Sequence, residues 1–301
     1  MERIEFYKNR TLSERFSASI DFLKQNWKVL YKNILIGAIP LALLGGFFMQ
    51  YYLRASLANI YLNFGGAVSQ LFYIGLYFVF MIILMIYLNA MPGAVLKKYD
   101  EGKLTPSTGW NDLHKTMLSL SGKTFVIGLI LWVIIVITVF IIAAIIGMLF
   151  SGITSGRSFA FAGIIFVLVM FIMLGLMFAF APFLALAPFP AYFSGAGNRE
   201  SIKIAFGMGF RNWGSMIVTL ILAGIALYVI IIIFSIPNII VAAMFHGEVN
   251  LLTFVFSFLT IFGEILTYPI MFIFIAFQYF SIVEKEQSVS LQSKVSEFEN
   301  L

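Results

Sequence analysis

FVIGLILWVIIVITVFIIAAIIGMLF, residues 125–150, contains no charged side chain, and the uncharged interval around it runs from Lys123 to Arg157. A helix needs about 20 apolar residues to cross roughly 30 Å of hydrocarbon, at about 1.5 Å per residue. The stretch offers no polar face to water, which separates a membrane span from a core helix of a soluble domain. Four further intervals, Lys32 to Arg54, Arg54 to Lys97, Arg157 to Arg199 and Arg211 to Glu248, are also free of charge, and Glu248 to Glu284 holds only Glu264. The expected spans are 33–53, 67–91, 125–150, 159–181, 215–236 and 251–282. With 61% hydrophobic and 11% charged residues, the chain lies outside the range of soluble domains.

The cations orient these spans. Arg3, Lys8, Arg10, Arg15, Lys24, Lys28 and Lys32 precede the first, Lys97, Lys98, Lys103, Lys115 and Lys123 follow the second, Arg199, Lys203 and Arg211 follow the fourth, and Lys285 and Lys294 end the chain. Only Arg54 and Arg157 fall in the other loops. Positive residues stay on the cytoplasmic side, so both termini are expected there, with the chain in an inner (cytoplasmic) membrane. The net charge of +5 then reports orientation and contact with anionic headgroups, with no nucleic-acid partner. MERIEFYKNR is charged and leads into a polar helix, so no cleavable signal is expected and the first span serves as an anchor. The absence of cysteine removes disulfides, thiolate metal sites and cysteine nucleophiles.

Before the first span, Thr11 and Glu14 form a capping box, and Leu12, Phe16, Ile20, Leu23, Trp27 and Leu30 recur at helical spacing. Lys24, Lys28 and Lys32 lie off that stripe. This predicts an amphipathic helix lying along the cytoplasmic surface. A similar layout precedes the fifth span, with Arg199, Ile202, Phe206, Phe210 and Trp213. A weaker one, starting at Thr105-Pro106-Ser107 and carrying Trp110, Leu113, Met117 and Leu120, precedes the third. The expected fold is an all-α membrane protein: six transmembrane helices as three repeats of a cytoplasmic amphipathic helix and two spans. It divides into an arm (1–10), a membrane domain (11–284, with units about 11–104, 105–197 and 198–284) and a cytoplasmic tail (285–301). Repeats of two spans insert with one orientation and are parallel.

Asn26-Trp27 and Asn212-Trp213 before spans, the proline-containing exits at Pro92, Pro188 and Pro269, and the closing Phe277-Gln278-Tyr279-Phe280-Ser281-Ile282-Val283-Glu284 resemble bacterial multi-pass proteins related to the membrane domain of glycerophosphodiester phosphodiesterases. The resemblance implies a six-helix membrane domain. In those enzymes the activity belongs to a separate soluble barrel, and seventeen residues follow Glu284 here, so no enzymatic activity is carried over.

Glu264 is the one ionisable acid or base within a span, about 20 Å along its helix from Leu251. A charge at that depth costs at least about 2.5 kcal/mol. Pro269 cannot donate to the carbonyl of Ile265 and should kink the helix beside it. Glu264 could couple protons or grip a polar ligand, or could be a protonated acid bonded to Asn238, Thr219 or Tyr73 that only holds helices together. Tyr73 and Tyr77 share a face and could line a cavity with Gln70, although interhelical hydrogen bonding explains such residues as well. Trp27, Trp110 and Trp213 suit the headgroup region as interface anchors.

Phosphate loops, paired zinc histidines, nucleophile elbows and carboxylate–histidine clusters are absent from the sequence. His114 and His246 fall on opposite sides of the expected membrane and share no metal. Asp100-Glu101, beside Lys97, Lys98 and Lys103, reads as a solvated loop. The expectation is therefore a non-enzymatic protein without cofactor or metal that binds or handles lipids or scaffolds envelope assembly. The alternative is a small-solute or proton-coupled permease using Glu264. Membrane lipids are the expected partners, and a homo-oligomer or membrane complex stays open.

Overall fold

A computed structural model describes residues 3–58, 64–151, 159–244 and 251–288, with side chains outside 49–67, 69–70, 139–141, 143–169 and 242. The helices are α1 (Leu12–Ala58), α2 (Phe64–Asp100), α3 (Trp110–Ser151), α4 (Phe159–Leu186), α5 (Asn198–Arg211), α6 (Trp213–Met244) and α7 (Leu251–Gln287). A π-helical turn, Pro190–Ser194, follows α4. Among the described residues there is no strand. All helices except α5 are long and apolar enough to cross a membrane, which makes this a multi-pass helical chain.

Only one of the three expected surface helices is a separate element. α5 ends where Asn212 leaves helical geometry (φ −112°, ψ 23°), its N–H bonded to the Met208 carbonyl, and α6 restarts at Trp213. In α1 and α3 the expected surface segment runs into the span without a turn. Residues 27–39, WKVLYKNILIGAI, contain no proline and one glycine, so nothing interrupts the ladder before Pro40. At 47 residues α1 is about 70 Å long, far more than the hydrocarbon requires. Its start is the expected capping box: the Thr11 N–H donates to Glu14 Oε2 at 2.7 Å and the Glu14 N–H to Thr11 Oγ1 at 3.4 Å. α3 begins later than expected, at Trp110. Thr105-Pro106-Ser107 instead belongs to a turn closed by the Thr108 N–H on the Thr105 carbonyl, and the Gly109 N–H donates to Asp112 Oδ2 at the helix start.

The side of α1 packed against protein is not the whole apolar stripe: Ser19, Phe22, Val29, Leu30, Asn33 and Ile34 are among the buried positions, whereas Ile20 and Trp27 are 43% and 53% exposed. The buried face is set by what packs against it, namely the N-terminal arm, α2 and the second half of α7.

The chain divides into two compact units, Met1–Ser121 with Thr219–Leu301, and Gly122–Val218. In the first unit α1 runs antiparallel to α2, marked by Tyr87 donating to the Asn33 carbonyl and by Phe48 stacked on Phe80 at 5.5 Å. α1 is also antiparallel to α7, with Phe16 against Phe274 and Tyr31 donating to the Leu266 carbonyl at 2.7 Å. That hydroxyl sits where Pro269 loosens the ladder of α7 and supplies a donor to a backbone acceptor there. α6 lies antiparallel to α7, with Thr219 bonded to Gln278 and Ser257 to Asn238.

Burial is greatest in the second half of α7, where every residue from Phe272 to Val283 is buried. In the second unit, Ser201 of α5 is wholly buried, donates to the Ala187 carbonyl at 2.8 Å and accepts from the Ala191 N–H at 2.9 Å. It thereby serves backbone groups around Pro188 and Pro190, neither of which can donate.

Two close approaches require glycine. A Cβ at Gly263 would lie 2.7 Å from Phe234 Cβ, and one at Gly37 would lie 2.5 Å from the Tyr87 ring, whose hydroxyl is pinned to Asn33. Nothing lies within 4 Å of a Cβ at Gly75. Gly263→Ala and Gly37→Ala should each destabilise by about 1–3 kcal/mol through overpacking. Gly75→Ala should be neutral or slightly stabilising, as read by thermal melting of the detergent-purified protein.

Candidate functional site

The exposed side of α1 gathers Ile20, Lys24, Trp27 and Lys28 on one face, spaced four, three and one residues apart. The Lys28 ammonium lies 5.8 Å from the Trp27 ring centroid, within cation–π range. Beside them a cleft of about 310 Å³ is walled by Lys24, Gln25, Asn26, Trp27, Lys28 and Val29, and by Leu104, Thr105 and Pro106 of the α2–α3 connection. It presents the Lys24 and Lys28 ammonium groups, while the Asn26 amide donates to the Phe22 carbonyl at 3.0 Å and the Thr105 hydroxyl pairs with that of Thr108 at 3.1 Å. Two ammonium groups suit an oxyanion such as a phosphate ester and leave an alkyl portion the Trp27 side.

The N-terminal arm fixes this end of the unit. Phe6 is 4% exposed and is ringed by Phe22 of α1, Tyr99 of α2 and Phe277 and Phe280 of α7, at centroid distances of 5.9, 5.3, 5.4 and 4.6 Å. Arg3 donates to the terminal α2 carbonyls of Tyr99 (3.0 Å) and Asp100 (2.6 Å), acting as a cationic C-cap. The Arg10 guanidinium closes the arm on the Glu5 and Phe6 carbonyls, and burial lowers its pKa. Burial, and secondarily the charge of Asp100, pushes the Tyr7 phenol well above its ordinary 10.0. The Glu101 carboxylate is held below its usual range by the Lys103 ammonium at 2.9 Å. Arg15 donates to the buried Gln278, which also accepts from Thr219, so this word of α7 is a polar and aromatic socket. Sequence reading missed that socket. Its signal was Phe6-Tyr7 within an otherwise charged arm.

The other sequence candidates are dispersed. Glu264 is exposed and its carboxyl has no partner among the described residues. Of the three partners that the helix-holding alternative offered, Asn238 holds Ser257, Thr219 holds Gln278 and Tyr73 has its ring against Phe72. The reason is rotational: Gly263, Ile265 and Thr267 point inward, which turns Glu264 out. Tyr73 and Tyr77 are half-buried, with rings against Phe72 and Phe78 of their own helix. The Gln70 side chain lies outside the described residues, as do His246 and the tail beyond Ser288. Trp27 and Trp213 are exposed, whereas Trp110 packs between Tyr87 and His114 at 6.0 and 5.4 Å.

On α5, Arg199, Lys203, Phe206 and Phe210 are exposed at spacings of four, three and four, a second basic-aromatic face, and Trp213 at the start of α6 is exposed three residues on. Its rings extend onto α4 through Phe206–Phe183 and Phe210–Phe180. Among the described residues no group of three or more metal-ligating side chains exists. No family model, curated protein or solved structure matches the chain. The likeness to the phosphodiesterase membrane domain therefore rests on layout and the short words quoted above.

The arm's attachment should depend on pH through Tyr7. A folded-state pKa above 10.0 favours the neutral phenol, so its contribution is complete below about pH 10 and declines as pH rises beyond it. Tryptic cleavage within the arm should accelerate above about pH 10 in the native chain, and Tyr7→Phe should lose that Tyr7-dependent acceleration. Phe6→Ala should release the arm at neutral pH, at a cost of about 3–5 kcal/mol.

Proposed function

We propose that the chain is a non-enzymatic membrane protein that binds anionic lipid headgroups, in a lipid-handling or envelope-scaffolding role, at the basic end of its first unit. The observation that carries this reading is the α1 cleft with its exposed Ile20–Lys24–Trp27–Lys28 face. A cation next to an indole and an aliphatic side chain, on a helix about to enter the hydrocarbon, matches the chemistry of the headgroup layer. The α5 face, with Arg199 and Lys203 over Phe206 and Phe210, and Trp213 at the start of α6 support the same reading from the second unit. The positive-inside count supports a cytoplasmic location for both termini and an inner-membrane location. The three-repeat organisation and the kinship with the phosphodiesterase membrane domain belong to this proposal and are supported by the sequence layout alone.

Phosphate chemistry at the cleft predicts selectivity by charge. Lipid retained by the purified protein, measured by native mass spectrometry after exchange into mixed phosphatidylglycerol and phosphatidylcholine, should favour the anionic species. Each cation near an anionic surface contributes about 1 kcal/mol, so Lys24→Gln with Lys28→Gln should weaken that preference by about thirty-fold. The preference should also fall with added salt. Equal retention of both lipids by the native chain would contradict the proposal.

A further inference from the structure

We propose that α7 carries a proton-binding site at Glu264, reached by water along Ser257 and Thr260. This inference is independent of the lipid reading and concerns the other half of α7.

The polar residues of that half, Thr253, Ser257, Thr260, Glu264, Thr267 and Tyr268, follow one another at steps of four, three, four, three and one. Steps of three and four keep residues on one helical face, so Thr253, Ser257, Thr260 and Glu264 form a continuous line in a helix otherwise filled by Leu, Phe, Ile and Val. The hydroxyls are locally satisfied: Ser257 donates to Asn238 Oδ1 at 3.2 Å, Thr260 to the Phe256 carbonyl at 3.4 Å and Thr267 to the Gly263 carbonyl at 3.0 Å. The Glu264 carboxyl is not. It is exposed, and among the described residues nothing bonds to it.

Beyond Glu264 the line is closed. Thr267 is 3% exposed, Tyr268 accepts from Asn89 of α2 at 2.8 Å, and Tyr31 of α1 covers the Leu266 carbonyl. From Phe272 onward every residue to Val283 is buried. Toward α6 the site is shut by Phe234 against Gly263. Thr253 is 8% exposed, so access comes along the half-buried Ser257 and Thr260.

The groups that α1, α2 and α6 bring to this stretch of α7 are Tyr31, Asn89 and Asn238, and Tyr268 lies on α7 itself. None is cationic, and no Lys, Arg or His lies between Leu251 and Glu284. A carboxylate without a counter-ion is costly at this depth, and the protonated form is the inexpensive one unless water reaches it. The reaction is an exchange alone: the carboxylate takes a proton from hydronium, leaving water, and returns it to water, with no other bond changed.

The test uses the cysteine-free full chain in lipid vesicles. Single cysteines are placed at Thr260 and, on another face, at the 51%-exposed Val255, and their reaction with a membrane-impermeant thiol reagent is timed. Thr260→Cys should react at least about ten-fold faster than Val255→Cys, because water reaches only the polar face. Ser257→Cys repeats the measurement if Thr260→Cys fails to accumulate. In parallel, a hydrophobic carbodiimide, which couples to protonated carboxyls, should modify Glu264 faster at about pH 5 than at about pH 9 and leave Glu264→Gln unmodified. Equal thiol rates on the two faces would overturn the water path. An adduct indifferent to pH, or formed on Glu264→Gln, would overturn the proton site. A disulfide between two copies of the Thr260→Cys chain would place a second protein over the face, and that too would overturn the proposal.

Discussion

The first unit depends on the seating of the second half of α7 among α1, α2 and the N-terminal arm. Phe277 and Phe280 meet Phe6, and Phe274 meets Phe16. Gln278 takes hydrogen bonds from Arg15 and Thr219. The location of this packing follows from the solvent. Hydrocarbon tails are as apolar as the side chains they surround, so burial between helices gains nothing from water release inside a bilayer. Where helices project beyond the hydrocarbon, that gain returns. α1 is about 70 Å long, and its first turns with the ends of α2 and α7 carry the buried aromatic residues. Further along the spans, Leu71, Phe171 and Ile225 remain 71%, 68% and 61% exposed.

That division separates two kinds of chemistry. The end closed by the arm is cationic and aromatic on its outside and packed within, so the cleft there sits on a packed base. The opposite half of α7 is thinly packed and carries the one carboxyl among its apolar residues. Proline takes part in both settings. Pro269 loosens α7 next to the Leu266 carbonyl that Tyr31 covers, and Pro188 and Pro190 leave the α4 exit to be tied by Ser201.

The spans were legible in the sequence because the absence of charge over twenty or more residues is a physical requirement of crossing hydrocarbon. The capping box at Thr11 and Glu14 was legible because it is local. Which side of a helix is buried was not, since that depends on neighbours. Spacing put Ile20 and Trp27 on an apolar stripe of α1 but could not show that α2, α7 and the arm occupy the side of Ser19, Phe22 and Val29. For the same reason spacing left open whether Glu264 bonds to Asn238, Thr219 or Tyr73. A turn of the helix that places Gly263 against Phe234 carries it outward. Phe6 could have been suspected as an apolar residue among charges, but its socket is assembled from three helices, α1, α2 and α7.

The rotation and depth of α7 underlie both proposals, and one cross-link measures them directly. Phe16 and Phe274 have ring centroids 4.7 Å apart. With no native cysteine, Phe16→Cys combined with Phe274→Cys should be joined within one chain by a short bifunctional thiol reagent in native membranes. Phe16→Cys combined with Val255→Cys should not be joined. A failure of the first pair to cross-link above the second would contradict the account, because α7 would then not be seated on α1 by the face described.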